Sequence, residues 1–292
     1  MFRTIRYISI LILCLGVNCF CTVAQSTDAA HPEWSKPYTP FRIAGNLYYV
    51  GTYDLACYLI TTPEGHILIN TALDNTVDML RANVESLGFK FKDIKIILIS
   101  QAHFDHCGGM AAIQKMTGAK VMIDEKDAPV VADGGNSDYL YGGKGVGSLF
   151  TPVKVDRKLH DHELIELGGT KLEILHHPGH TKGSCSYLLT VKDEQRSYRV
   201  LIANIPTMLS EVKLPGMPTY PEVGKDFMNT YAAMKKLKFD IWVAAHAGQF
   251  MLHEVRKETD GYNPDAFSNV QKFYATIDEM QEQYNERVKA EK

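Results

Sequence analysis

The sequence predicts an α/β fold: one domain built from two sheet-and-helix halves. Three observations predict it. Short apolar runs of strand length alternate with stretches whose apolar residues keep helical spacing. The second half of the chain repeats the first in outline. No linker-like or low-complexity segment divides residues 25–292. With 292 residues, 45% hydrophobic and 22% charged, the chain can bury one large core. A net charge of −3 offers no footprint for a nucleic-acid partner.

Residues 1–24 stand apart from this domain. Arg3 and Arg6 precede an almost unbroken apolar run over 8–17, and Thr22-Val23-Ala24 resembles a small-residue cleavage site. This order predicts a cleaved signal peptide and a periplasmic protein. The apolar run is short for a membrane span, so no stable anchor is expected. The domain that follows retains Cys57, Cys107 and Cys185, an odd count that leaves at least one thiol outside any internal disulfide. A monomer is expected.

Residues 31–40 are rich in proline and should wrap the surface. Strand-like runs at 47–50, 56–60 and 66–69 are separated by turn residues, Ala44-Gly45-Asn46 before them and Thr62-Pro63-Glu64-Gly65 between the last two. Asp74 or Asn75 can cap a helix whose stripe is Val77, Leu80, Val84 and Leu87, with Gly88 as its stop. A strand over 94–99, a helix over 109–116, a strand over 120–123 and a short helix over 124–132 follow. Residues 133–147 are rich in Gly, Asn and Tyr and read as a long loop, either a lid or a surface excursion. Further strands are expected near 164–167, 171–176, 184–191 and 198–203, then a helix over 225–237 and a strand over 240–244. Asn263-Pro264-Asp265 begins a last helix. Its apolar positions, from Phe267 through Phe273 and Ile277 to Val288, should pack one face on a sheet.

The chemistry is concentrated where the strand over 94–99 ends. There the chain reads Gln101-Ala102-His103-Phe104-Asp105-His106-Cys107-Gly108-Gly109. In extended geometry H-x-D-H cannot aim every side chain at one point. In a loop it can present donors in two directions, as two neighbouring metal ions would require. Imidazole and carboxylate are zinc ligands at about 2.0–2.2 Å. Two later histidines also end apolar runs: His180 in Pro178-Gly179-His180-Thr181, and His246 in Ala244-Ala245-His246. The remaining histidines are expected to be structural, with His177 a possible support for the site. Cys107 adjoins the cluster but lacks the paired spacing of thiolate sites.

The order H-x-D-H, P-G-H-T-x-G-S, A-A-H resembles the metallo-β-lactamase fold. The stretches over 41–56 and 176–186 look like subclass B3 enzymes, and most like the GOB-type members in which glutamine replaces the first histidine. The resemblance implies an αββα sandwich of two mixed sheets with helices on the outer faces. It implies two zinc sites, one from Gln101, His103 and His180, the other from Asp105, His106 and His246. An amide oxygen is a weaker donor than imidazole, so the Gln101 site should bind less tightly, unless Gln101 only holds a water.

The implied activity is opening of the β-lactam ring of penicillins, cephalosporins and carbapenems by metal-bound hydroxide, with Asp105, His103 and His180 at the reacting centre. Thr207, Asn204 and Tyr53 are candidates to contact the substrate. The fold also hosts thioester and lactone hydrolases, and a zinc-binding protein without turnover is a third reading. Many of those hydrolases carry a bridging aspartate between the second and third ligand loops. Here no carboxylate occurs between residues 195 and 210, which favours the lactamase.

Overall fold

The computed structural model describes residues 30–143 and 149–291. The expected signal segment, and residues 144–148 of the long loop, lie outside the described residues. The first sheet runs in chain order from β1 (Phe41–Ala44) through β2 (Leu47–Tyr49), β3 (Tyr58–Thr62), β4 (Gly65–Ile69), β5 (Ile94–Leu98) and β6 (Lys120–Asp124) to β7 (Arg157–Leu159). Its first half is an antiparallel meander, with two-residue turns joining β1 to β2 and β3 to β4 and an eight-residue connection between β2 and β3. From β4 onward the pairing is parallel. Parallel neighbours need crossovers. Helix α1 (Val77–Ser86) supplies one, and α2 (Phe104–Cys107) with α3 (Met110–Thr117) supplies the next; α4 (Ala128–Ala132) follows β6.

The second sheet contains β8 (Leu164–Leu167), β9 (Thr170–His176), β10 (Cys185–Lys192), β11 (Ser197–Ala203) and β12 (Ile241–Ala244), in the spatial order β12-β11-β10-β9-β8. Only β11 and β12 are parallel, and α5 (Val223–Met234) is their crossover. Two helices close the chain, α6 (Leu252–Val255) and α7 (Val270–Ala290). α7 packs on α5 and β12.

Side-chain alternation decides the layers. Tyr58, Ile60, Ile67, Ile69 and Leu98 face Leu172, Ile174, Tyr187 and Leu189 in the core between the sheets. Their neighbours Leu59, Leu68 and Ile97 point the other way, onto Val77, Leu80, Met110 and Ile113 of the helices. The result is the expected αββα sandwich of two mixed sheets. No helix among the described residues is long and apolar enough to cross a membrane.

Three local expectations change. Asp74 and Asn75 lie in a 3-10 turn, Asp74–Thr76, and α1 begins only at Val77 with no side-chain cap. Pro264–Phe267 is likewise a separate 3-10 turn; α7 starts at Val270, where the Asn269 side chain accepts from the Lys272 N–H. β1 and β7 are edge strands of four and three residues, too short for a period to show. The cysteines Cys57, Cys107 and Cys185 are buried and free.

Candidate metal centre

Three chain segments meet at one rim because backbone bonds join their strand ends. The Cys185 N–H, opening β10, donates to the Ser100 carbonyl just past β5 (2.8 Å). The Ala56 N–H, leading into β3, donates to the Ala245 carbonyl (3.0 Å), and Leu55 bridges to His246. The loop between β9 and β10 turns at Gly179, whose φ of +133° suits glycine. A Cβ there would also strike the Phe227 ring at 2.7 Å.

On one side of the site, His103 Nδ1 lies 3.1 Å from His180 Nε2, with Gln101 beside them in the cleft wall. His180 Nδ1 donates to the Thr207 carbonyl (2.7 Å), so its Nε2 carries a lone pair. His103 Nε2 faces Asp138 Oδ2 at 3.4 Å, beyond a well-formed hydrogen bond, and the Asp138 charge raises its pKa against the effect of burial; with Nε2 turned to Asp138, Nδ1 is the atom left to ligate. These assignments follow from the partners. Two lone pairs 3.1 Å apart repel unless a cation or a proton lies between them.

On the other side, Asp105, His106 and His246 bring one donor atom each within 4.8 Å of one another. His246 Nδ1 donates to Asp54 Oδ2 (2.9 Å), which leaves Nε2, 3.4 Å from Asp105 Oδ2, as the atom that can ligate once the ring is neutral. His106 Nε2 is 3.2 Å from the same oxygen, yet neither of its buried ring nitrogens makes a hydrogen bond. Orphaned buried nitrogens are costly. A cation accepting all three lone pairs removes that cost, so the donor set fits zinc.

Charge in this set is finely divided. Burial alone would raise the Asp105 carboxyl, but the charges and hydrogen bonds of His106 and His246 outweigh it and hold it well below the usual range. Burial opposes the charging of His246, yet Asp105 and Asp54 lift it to about 9. Burial, with the nearby His103 charge, depresses His180 to about 3, keeping it neutral.

The metallo-β-lactamase superfamily model matches residues 51–193. A β-lactamase from Chitinophaga pinensis is 57% identical, with a TM-score of 0.87 over 88% of this chain and 96% of that one. The class B3 di-zinc metallo-β-lactamase LRA-12, from an Alaskan soil metagenome, is 56% identical, with a TM-score of 0.85 over 87% of this chain and 96% of that one. The chain belongs to the metallo-β-lactamase superfamily. GOB-18 from Elizabethkingia meningoseptica is 50% identical, with a TM-score of 0.86 over 88% and 95% of the two chains. The chain spans 25% of the length of the first curated relatives it matches, which are metal-dependent hydrolases of Anaeromyxobacter.

In this metallo-β-lactamase chain five of the six sequence-predicted donors line one cleft of about 310 Å³, and His106 lies buried just behind Asp105. Asn204 and Thr207 line it, but both are already engaged. Asn204 Nδ2 donates to the Ser100 carbonyl (3.0 Å), and Thr207 Oγ1 lies 3.1 Å from His180 Nδ1. Their first role is to support the site. Tyr53 does not line the cleft. It stacks on His253 at 3.8 Å with the Lys36 ammonium over its ring. The residue of that turn that reaches the site is its neighbour, Asp54, through His246. His177 is tied to Ser186 Oγ (2.8 Å), which in turn accepts from the Asn204 N–H (3.0 Å). Cys107 Sγ turns toward the His103 carbonyl (3.0 Å), and burial pushes its thiol well up.

Sequence reasoning missed four groups. Asp54 and Asp138 orient His246 and His103. His31 and Trp34, stacked at 4.2 Å, form one cleft wall. Asp127 is buried and joins two rim loops: it accepts from the Ala102 N–H (2.9 Å), the Gly183 N–H (2.8 Å) and Thr181 Oγ1 (2.7 Å). A lone Asp in a loop carries no periodicity, so only the histidine-after-glycine pattern at 179–180 hinted that this region was constrained.

Proposed function

We propose that this chain hydrolyses β-lactams in the periplasm as a monomer, with Gln101, His103 and His180 holding one zinc ion and Asp105, His106 and His246 a second. The carrying observation is the convergence of four imidazoles and one carboxylate on one rim, with His180 and His246 held through their Nδ1 atoms by Thr207 and Asp54. The 56–57% identity to β-lactamases covering 96% of those chains supports the substrate class. The basic, apolar and small-residue order of residues 1–24 supports export. Bound zinc lowers the pKa of water to about 7 and polarises a carbonyl.

The chain's own residues do the rest. Asp105 stays ionised at neutral pH and presents an oxygen that can orient a water. His180 keeps a neutral, directed lone pair, because Thr207 takes its hydrogen and burial disfavours its charge, whereas Asp138 favours the charged form of His103, which must shed that proton to ligate. Trp34, Phe104, Ile205 and Leu209 give the cleft apolar walls that limit water. The test is hydrolysis of a chromogenic cephalosporin and a carbapenem by the purified exported chain, beside a thioester and a lactone. Turnover unaffected by complete metal removal would end the metal mechanism, and a preference for thioester would transfer the activity to the other hydrolase class.

Two further outcomes are expected. Gln101→His should retain a second zinc equivalent through a dialysis that strips it from the native chain, since imidazole is the stronger donor. Equal stoichiometry in both would remove Gln101 from the ligands. Zinc uptake should also release protons. His246 is raised to about 9, so in the metal-free chain it is charged at pH 7, whereas a coordinating imidazole must be neutral. Apparent affinity should therefore rise by up to about tenfold per pH unit from 7 toward 9. Calorimetry in buffers of different ionisation heat reads this, and a buffer-independent heat would contradict it.

A further inference from the structure

One lip of the cleft is a segment without regular structure. It follows β11, and Asn204, Ile205, Thr207 and Leu209 line the site from it. It makes only a few local backbone bonds, from the Thr207 N–H to the Ile205 carbonyl (2.8 Å) and from the Val212 N–H to the Leu209 carbonyl (3.2 Å), so most of its carbonyls need partners from elsewhere. Its carbonyls are met from the far end of the chain. In the last turns of α7, Arg287 Nη1 donates to the Leu209 carbonyl (2.8 Å), and Nη2 donates to the Ser210 carbonyl (2.7 Å) and to that of Val212. Arg287 Nε pairs with Glu291 Oε1 (2.9 Å), and Glu291 Oε2 accepts from the Leu214 N–H (2.7 Å).

We propose that Arg287 and Glu291 are positioning residues that clamp the 204–214 lip and so set how well substrate is held. The rigid guanidinium fork suits this work, since three carbonyls at fixed angles are addressed by one planar group. The clamp has a firm base. α7 buries Phe273, Ile277 and Tyr284 against the core, and it packs on α5. α5 secures the lip a second time, through the Tyr231 hydroxyl to the Pro206 carbonyl (3.2 Å). The lip in turn holds His180 through Thr207. Arg287 touches neither the donors nor the cleft interior, so it acts only through the lip.

The proposal rests on β-lactam hydrolysis for its kinetic readout, but not for its structural one. Arg287→Ala should raise KM about tenfold, the scale of losing charge-assisted hydrogen bonds, with kcat within about twofold. Amide exchange should quicken over 205–214 and nowhere else, and zinc content should be unchanged. Arg287→Lys, which keeps the charge but not the fork, should recover part of KM. Glu291→Gln, a milder change that keeps the fold, should shift KM in the same direction by less. Unchanged exchange over 205–214 in both Arg287→Ala and Glu291→Gln would overturn the clamp. So would a uniform rise in exchange with kcat lowered and KM unchanged, which marks a smaller folded fraction and a purely structural helix end. A native chain inactive on lactams would sink the proposed function, while the exchange experiment would still decide the clamp.

Discussion

Asp105→Ala should lose about one zinc equivalent and about 10³-fold or more in kcat/KM while remaining folded. Its carboxylate is the only anionic donor in the candidate set, and the other two donors of its group converge on it. His106 Nε2 and His246 Nε2 lie 3.2 and 3.4 Å from Oδ2. Without it two imidazoles face a gap, and His246 keeps only Asp54 to hold its charge. The fold should survive, because among the described residues Asp105 joins the two sheets only through His246. Metal counting and kinetics on one sample decide the point. A variant that keeps both zinc equivalents and turns over within tenfold of the native chain would remove Asp105 from the centre.

Asp127→Ala should be costly in a different way. Its carboxylate is buried and serves three donors from two loops. Thr181 can turn its hydroxyl to Ser184 Oγ (2.8 Å), but the N–H groups of Ala102 and Gly183 would be orphaned. At about 1–3 kcal/mol for each orphan, the loss is about 4 kcal/mol, a large share of a domain's net stability of about 5–15 kcal/mol. The two loops carry Gln101 and His103 on one side and His180 on the other, so metal affinity should fall with stability. Asp127→Asn keeps one acceptor and should lie between. Urea unfolding of the metal-free chain measures it; a loss below about 1 kcal/mol would show that water replaces the carboxylate.

The donors are legible in the sequence because each stands within a few residues of the end of an apolar run. Strand ends lie at a rim, so position and chemistry coincide at His103, Asp105, His106, His180 and His246. The residues that aim those donors are not legible. Asp54 lies 192 residues from His246 and Asp138 lies 35 from His103, and each is a single acid in a turn. The turn at 52–55 shows the difficulty: Tyr53 looks like the cleft residue by size and chemistry. The backbone bond from Thr52 N–H to the Leu55 carbonyl instead closes a turn that sends Asp54 inward and Tyr53 onto His253. Layer order is legible from alternation, whereas edge strands and 3-10 turns are too short to leave a pattern.

The site lies on the seam of the sandwich. Gln101, His103, Asp105 and His106 follow β5 of one sheet, while His180 and His246 leave strands of the other. Each half can gather local contacts early in folding, but the two sets of donors meet only when the layers dock, a long-range step. A complete donor set therefore exists only in the docked state, and a metal ion would bind that state rather than isolated helices and strands. A metal ion held there would tie one layer to the other, so adding zinc should raise the melting temperature and a chelator should lower it, with secondary structure unchanged below the transition.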